Sequence, residues 1–371
     1  MAPFRYDIVG SFLRPQILKK AREQFNEEKI SLAQLQEVED ECIKDLVDKE
    51  KSIGLKAITD GEFRRAFWHL DFLAELDGIT KVKAKAWSVA FKDHQPKAET
   101  IKITGKIDFP ENHPFVEHFK FLQAQADDKH MAKLTIPSPS MLHLITCVRA
   151  EQYTPIDIYE QDSSLYSDIA AAYKKAVKIF YDLGCRYLQL DDTSWGEFCS
   201  AEKRDAYAER GFDLDAIAEA YVSVINEIIN DKPADMTITM HICRGNFQST
   251  WFSSGGYEPV AEVLFGGCHV DGFFLEYDSE RAGDFSPLRF IREQKVVLGL
   301  ITSKTPELES ADAVKARIEE AQAFVPLKQL CLSPQCGFAS TEEGNLLTEK
   351  EQWAKIALIK RIAEEVWRDA E

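Results

Sequence analysis

Three short stretches carry the residues best suited to chemistry. His241 and Cys243 form His-Ile-Cys at the end of the run MTITMHIC. Side chains at i and i+2 of a strand point to the same face, so both can reach one ion. Glu276 stands near the end of FFLEYD. A carboxylate behind Phe273, Phe274 and Leu275 needs a partner, because an unpaired buried charge is expensive. Cys336 lies on the turn Gln335-Cys336-Gly337 that leaves the run LCLSP. Together the four offer N, S, O and S, a closed tetrahedral set for Zn2+. Taken singly, His241 also reads as a core histidine and Cys336 as a buried thiol.

The ligand types select a reaction. Zinc that activates water usually keeps neutral histidines and an open position, which leaves it a strong Lewis acid. Two thiolates and a carboxylate set three negative charges against two positive, and such an ion is a poor acid for water. It can still bind a substrate thiol, lower its pKa and leave the thiolate electron-rich. SN2 attack of sulfur on an alkyl group requires that. The set predicts thiol alkylation rather than hydrolysis.

These residues need elements that bring them to one place. The chain alternates β-type runs with helical patterns. The runs are 6–11, 57–60, 132–137, 186–191, 236–242, 272–277, 296–301 and 329–333. Helical patterns span 31–52, 114–126, 163–183, 213–230, 257–265, 286–293, 310–324 and 348–368. Strands alternating with helices indicate a parallel sheet. Eight such units predict an α/β fold, a (β/α)8 TIM barrel formed by a single catalytic domain over 1–371. A doubly wound open sheet has the same periodicity, but eight units are many for one. VVLGLI and YLQL are apolar without alternation, as strands covered on both sides are. The stretch from about 77 to 111 does not fit the repeat, and WSVAF with ETIKIT predicts a hairpin inserted after the second strand. Ser31 reads as an N-cap, Thr348 with Glu351 as a capping box, and Gly54 and Gly184 as helix ends. In a barrel the C-terminal ends of the fifth, sixth and eighth strands share one mouth, where barrel enzymes keep their chemistry. Asp60, Glu62 and Asp191 belong to the same mouth, and carboxylates there suit a substrate ammonium. A structural network or helix capping is the other reading of these acids.

Composition narrows the partners. With 371 residues, 45% of them hydrophobic, the chain can bury a large core. A net charge of -17 argues against nucleic acid or an anionic membrane surface as partner. No window reaches the length of a membrane span, and Met1 to Asp7 lacks the basic and apolar segments of a signal peptide. A cytoplasmic location is expected. The eight cysteines are then reduced rather than paired. Cys42, Cys147, Cys185, Cys199, Cys268 and Cys331 read as small core residues.

The pattern resembles the cobalamin-independent methionine synthase family, specifically its C-terminal catalytic barrel, over nearly the whole chain. The resemblance is carried by Val9-Gly10-Ser11-Phe12-Leu13-Arg14-Pro15, Thr59-Asp60-Gly61-Glu62-Phe63 and Leu188-Gln189-Leu190-Asp191. It continues in His241-Ile242-Cys243, Leu275-Glu276 and Ser333-Pro334-Gln335-Cys336-Gly337. It implies zinc on His241, Cys243, Glu276 and Cys336. It also implies homocysteine at Ser11, Glu62 and Asp191, the two acids taking the amino group and Ser11 the carboxylate side.

Departures from the family pattern concern the methyl donor. The chain has about half the length of the plant and enteric enzymes and lacks their N-terminal barrel. Where those carry a histidine that can give up a proton, after the seventh strand, this chain has Lys304 in Ser303-Lys304-Thr305-Pro306. After Asp191 they have Glu-Pro, and here Asp192-Thr193 follows. Leu144 falls at the place of their pterin-stacking tryptophan, and Trp195 is a candidate substitute, with a core or rim role as its other reading. Lys304 is the candidate catalytic residue, either as proton donor or, the reading favoured here, as a fixed cation for an anionic part of the donor.

The activity expected is therefore zinc-dependent S-methyl transfer to homocysteine, giving methionine, from 5-methyltetrahydrofolate or a methyl-corrinoid. The small-molecule partners are homocysteine and the donor. An alternative is another zinc-thiol alkyl transfer, such as an epoxide–thiol transferase, which would leave Glu62 and Asp191 without a task. A zinc-binding protein without catalysis and a metal-free decarboxylase-like barrel complete the alternatives.

Overall fold

The computed structural model describes residues 2–83, 99–150 and 153–370. Seven strands pair in parallel in the order β1 (Ala57–Ile58), β4 (Met131–Pro137), β5 (Tyr187–Asp192), β6 (Thr237–Ile242), β7 (Gly272–Glu276), β8 (Lys295–Ile301) and β9 (Leu330–Pro334). Sequential parallel pairing with helical crossovers curls the sheet into a TIM-like form. Two further strands, β2 (Asp77–Lys83) and β3 (Glu99–Asp108), form a separate antiparallel pair between β1 and β4. ETIKIT falls in β3, whereas WSVAF at 87–91 lies outside the described residues.

One expected strand does not form. Segment 6–11 makes only an isolated parallel bridge, Tyr6 with Leu332 of β9. Its carbonyls are taken by side chains instead of a ladder. Lys133 Nζ donates to Ile8 O, Gln189 Nε2 to Val9 O at 2.7 Å, and Thr59 Oγ1 to Gly10 O at 2.8 Å. The segment still spans the gap between β9 and β1, with Asp7 N bonded to Leu332 O and Phe12 N to Gly61 O.

Alternation along the strands separates two environments. Leu188, Leu190, Ile238, Met240, Ile242, Phe273 and Leu275 join the large apolar cluster packed under the helices. The opposite faces turn inward and carry a small cluster of Val9, Phe274, Val297 and Cys331, along with buried polar groups. Lys133, fully enclosed, sits 3.3 Å from Asp7 Oδ1 and 4.0 Å from the Phe274 ring centre, and Tyr187 donates to Asp7 Oδ2 at 2.8 Å. Higher in the same interior stand Gln189, Asp191 and His241, with Asp191 in register with His241. Uniformly buried strands hide this two-sidedness from a periodicity reading.

Helix ends follow local chemistry. Ser31 caps the helix Leu32–Ile53 in a reciprocal box with Gln34, Thr348 does the same with Glu351, and Gly54 ends the first of these at φ 95°. The pattern at 286–293 yields only a 3-10 turn, Ser286–Phe290, followed by extended backbone at Ile291.

Candidate metal centre

His241 is the fifth residue of β6, and Cys243 is the first beyond it and still tied to β5, its N–H bonded to Asp192 O at 2.7 Å. Gly196 makes this possible, since a Cβ there would stand 2.3 Å from Cys243 O. Glu276 ends β7, and Cys336 follows β9 after Gln335. The four candidate ligand atoms lie within 4.8 Å of one another, and all four residues are buried. The two sulfurs are 3.6 Å apart, with no disulfide between them.

The surroundings suit a bound cation. His241 Nδ1 lies 3.3 Å from Phe274 O, which fixes the ring so that Nε2 faces the cluster. That Nε2 is buried without a hydrogen-bond partner, an orphan that a metal would satisfy. Cys336 and Cys243 are hydrogen-bonded to each other. The hydrogen bond from Cys243 holds the Cys336 thiol well below its ordinary range against the effect of burial, and raises Cys243. Burial disfavours charge on Glu276, but the fields of Lys304, Arg281 and His241 outweigh it and lower its pKa. Its Oε1 accepts Arg244 N–H at 2.9 Å and its Oε2 accepts Arg281 at 2.7 Å.

Beside the cluster opens a pocket of about 300 Å3, its mouth included, lined by Ser11, Glu62 and Asp191 together with His241, Cys243 and Cys336. Glu62 adopts a left-handed backbone at φ 60°, unusual for a residue with a side chain. Its N–H donates to Asp60 Oδ1 at 2.9 Å, so Asp60 holds the turn. Glu62 Oε1 accepts Thr135 Oγ1 at 3.1 Å and pairs with Arg65 at 3.4 Å, while Oε2 has no partner. Burial raises the pKa of Glu62 against the pull of Arg65 and Arg14. Burial pushes Asp191 up to about 7, against His241 and the 2.7 Å hydrogen bond from Gln189. Ser11 approaches closely because residue 337 is glycine: a Cβ there would stand 1.9 Å from Ser11 Oγ. Two thiols, a histidine nitrogen without a hydrogen-bond partner and two half-satisfied acids thus share one enclosure.

The same chain matches the model of the family described as cobalamin-independent synthase, catalytic domain, over residues 5–360. It belongs to that family. A Bacillus subtilis (strain 168) relative named "Uncharacterized protein YxjH" is 50% identical over 369 residues, 99% of this chain and 96% of that one. A crystal structure from Listeria monocytogenes has a TM-score of 0.79 at 48% identity, with 99% of each chain covered. A B12-independent methionine synthase from Shewanella sp. W3-18-1, solved with selenomethionine, has a TM-score of 0.73 at 20% identity, covering 98% and 97%.

Several residues expected to face the methyl donor lie elsewhere than expected. Trp195 does not line the pocket. It is fully buried in the short helix Ser194–Phe198 and packs edge-on against Phe198 and Tyr221, so it is a core tryptophan, because the helix turns its ring away from the mouth. Leu144 is likewise buried, in a π-helical turn, Leu144–Val148. Lys304 is buried rather than solvated, with Nζ 3.8 Å from Asp278 Oδ2 and no hydrogen-bond partner. Asp192 is a structural acid, bonded by Ser140 Oγ and by the hydroxyl and N–H of Ser194. The pocket residues that motif reading missed are Trp68 and Ser340, which come from loops after β1 and β9 and are joined by Trp68 N to Ser340 O at 3.1 Å. Neither carries a spacing signal in the sequence. No helix among the described residues is long and apolar enough to cross a membrane.

Proposed function

We propose that the chain is a zinc-dependent S-methyltransferase that moves a methyl group from 5-methyltetrahydrofolate or a methyl-corrinoid to homocysteine, giving methionine. The observation that carries this reading is the shared enclosure: four ligand atoms within 4.8 Å, an orphaned His241 Nε2, and Glu62 and Asp191 on the wall of the same pocket. Zinc held by His241, Cys243, Glu276 and Cys336 would supply an acidified, electron-rich acceptor thiol. The chain's own groups do the rest. Glu62 and Asp191 bind the acceptor's ammonium, and Ser11 with nearby backbone takes its carboxylate. Lys304 binds an anionic part of the donor. A folate donor further needs a proton on its departing nitrogen. An acceptor without an amino group would leave both acids unneutralised in a buried pocket, which counts against epoxide–thiol transfer.

The same reading takes residues 1–371 as one closed (β/α)8 barrel, with 6–11 as a reduced first strand and the antiparallel pair β2–β3 as an insertion after the second strand, working in the cytoplasm. The deciding experiment offers zinc-loaded protein and homocysteine each methyl donor in turn and measures methionine. No methionine from any donor, with homocysteine bound, would refute the proposal.

A further inference from the structure

Glu276 has backbone groups with no strand to pair with. Tyr277 N donates to Gly299 O of β8 at 3.0 Å, so by alternation the N–H and C=O of Glu276 face β6. The β6–β7 ladder, however, ends at Ile242 and Leu275, because the Arg244 N–H that would continue it goes to the Glu276 carboxylate instead. Both groups are buried and would be orphaned.

One hydroxyl fills both vacancies. Tyr257 OH accepts Glu276 N–H at 3.0 Å and donates to Glu276 O at 3.3 Å. Tyr257 is itself fully buried, at the start of the helix Glu258–Gly267. The guanidinium of Arg244 lies 4.4 Å over its ring. Arg244 is also fully buried, and none of its side-chain nitrogens has a hydrogen-bond partner among the described residues. Its backbone N–H is the donor to Glu276 Oε1 at 2.9 Å. One residue therefore touches both the carboxylate and the ring that holds the backbone behind it. Nearby Tyr277 makes a contrast: its ring is 5.3 Å from that of Tyr257, it is just as buried, and its hydroxyl has no partner.

We propose that Tyr257, with Arg244 stacked on it, is the positioning pair for Glu276, holding the carboxylate in place to complete the metal's ligand set. The inference rests on the zinc reading above. Residues behind a ligand commonly change metal affinity about 10- to 100-fold when altered. A tyrosine that merely filled the core would change only stability.

The test compares wild type, Tyr257→Phe and Tyr277→Phe, each stripped of metal. Zn2+ affinity is measured by chelator competition, the visible spectrum after Co2+ loading, and the melting temperature without metal. Tyr257→Phe keeps the ring under Arg244, and is expected to bind Zn2+ about 10- to 100-fold more weakly and to shift the Co2+ absorption. Tyr277→Phe is expected to match wild type in both. Arg244→Lys, which keeps the charge and the backbone N–H but loses the flat stack, is expected to shift the Co2+ spectrum in the same direction and stands in should Tyr257→Phe not fold. Wild-type affinity and spectrum in Tyr257→Phe would overturn the proposal, as would an equal loss in Tyr277→Phe. Wild type that binds neither metal would overturn the zinc reading itself, and this inference with it.

Discussion

Asp191→Asn separates binding from stability. The carboxyl is buried, and burial pushes its pKa up to about 7 from about 3.9 in an unfolded chain. The sign follows from linkage. A carboxyl raised by folding favours the folded state when protonated, and that contribution is lost as pH rises from about 4 through 7. Asparagine cannot ionise, and its side-chain oxygen can still accept from Gln189 Nε2, now at 2.7 Å. The variant should therefore melt no lower than wild type at pH 8, without ligand. Homocysteine binding should move the other way. Removing one charge-assisted hydrogen bond to an ammonium costs about 1–3 kcal/mol, or roughly a 5- to 150-fold rise in Kd. Titration calorimetry on zinc-loaded protein reads this directly, with 4-mercaptobutanoate, which lacks the amino group, as control. Wild type should prefer homocysteine increasingly between pH 6 and 8, as Asp191 ionises, and the variant should show less of that preference. Equal homocysteine affinity in variant and wild type would refute the ammonium role of Asp191.

Three further outcomes are expected. The protein should hold about one zinc per chain, and Cys336→Ala should lower that sharply; full zinc retention in both His241→Ala and Cys336→Ala would remove the site. Lys304→Met should raise the donor's KM more than it lowers kcat, since it removes binding energy common to ground and transition states, whereas a collapse of kcat at constant KM in steady-state assays would make Lys304 the acid. Gly337→Ala would place a methyl 1.9 Å from Ser11 Oγ, so it should cost about 1–3 kcal/mol of stability by overpacking and weaken homocysteine binding, as denaturant melts and calorimetry would register.

The clustering of His241, Cys243, Glu276 and Cys336 was legible in the sequence because it depends on residue type at strand ends. His241 and Cys243 share a face by simple alternation, and Glu276 and Cys336 end runs whose apolar character marks them as strands. Capping signals at Ser31 and Thr348 were equally local, since each cap bonds within four residues. What depends on partners far along the chain was not legible. Whether 6–11 forms a strand turned on Lys133, Gln189 and Thr59 capturing its carbonyls. Whether Trp195 faces the mouth or the core turned on how one short helix packs on Tyr221. Lys304 reads as a loop lysine until Asp278 appears beside it. The brace of Tyr257 and Arg244 on Glu276 exists only because β6 ends one residue before β7 needs it. Local spacing fixes which groups can bind a metal, whereas burial and long-range hydrogen bonds decide which of them are held in place to do so.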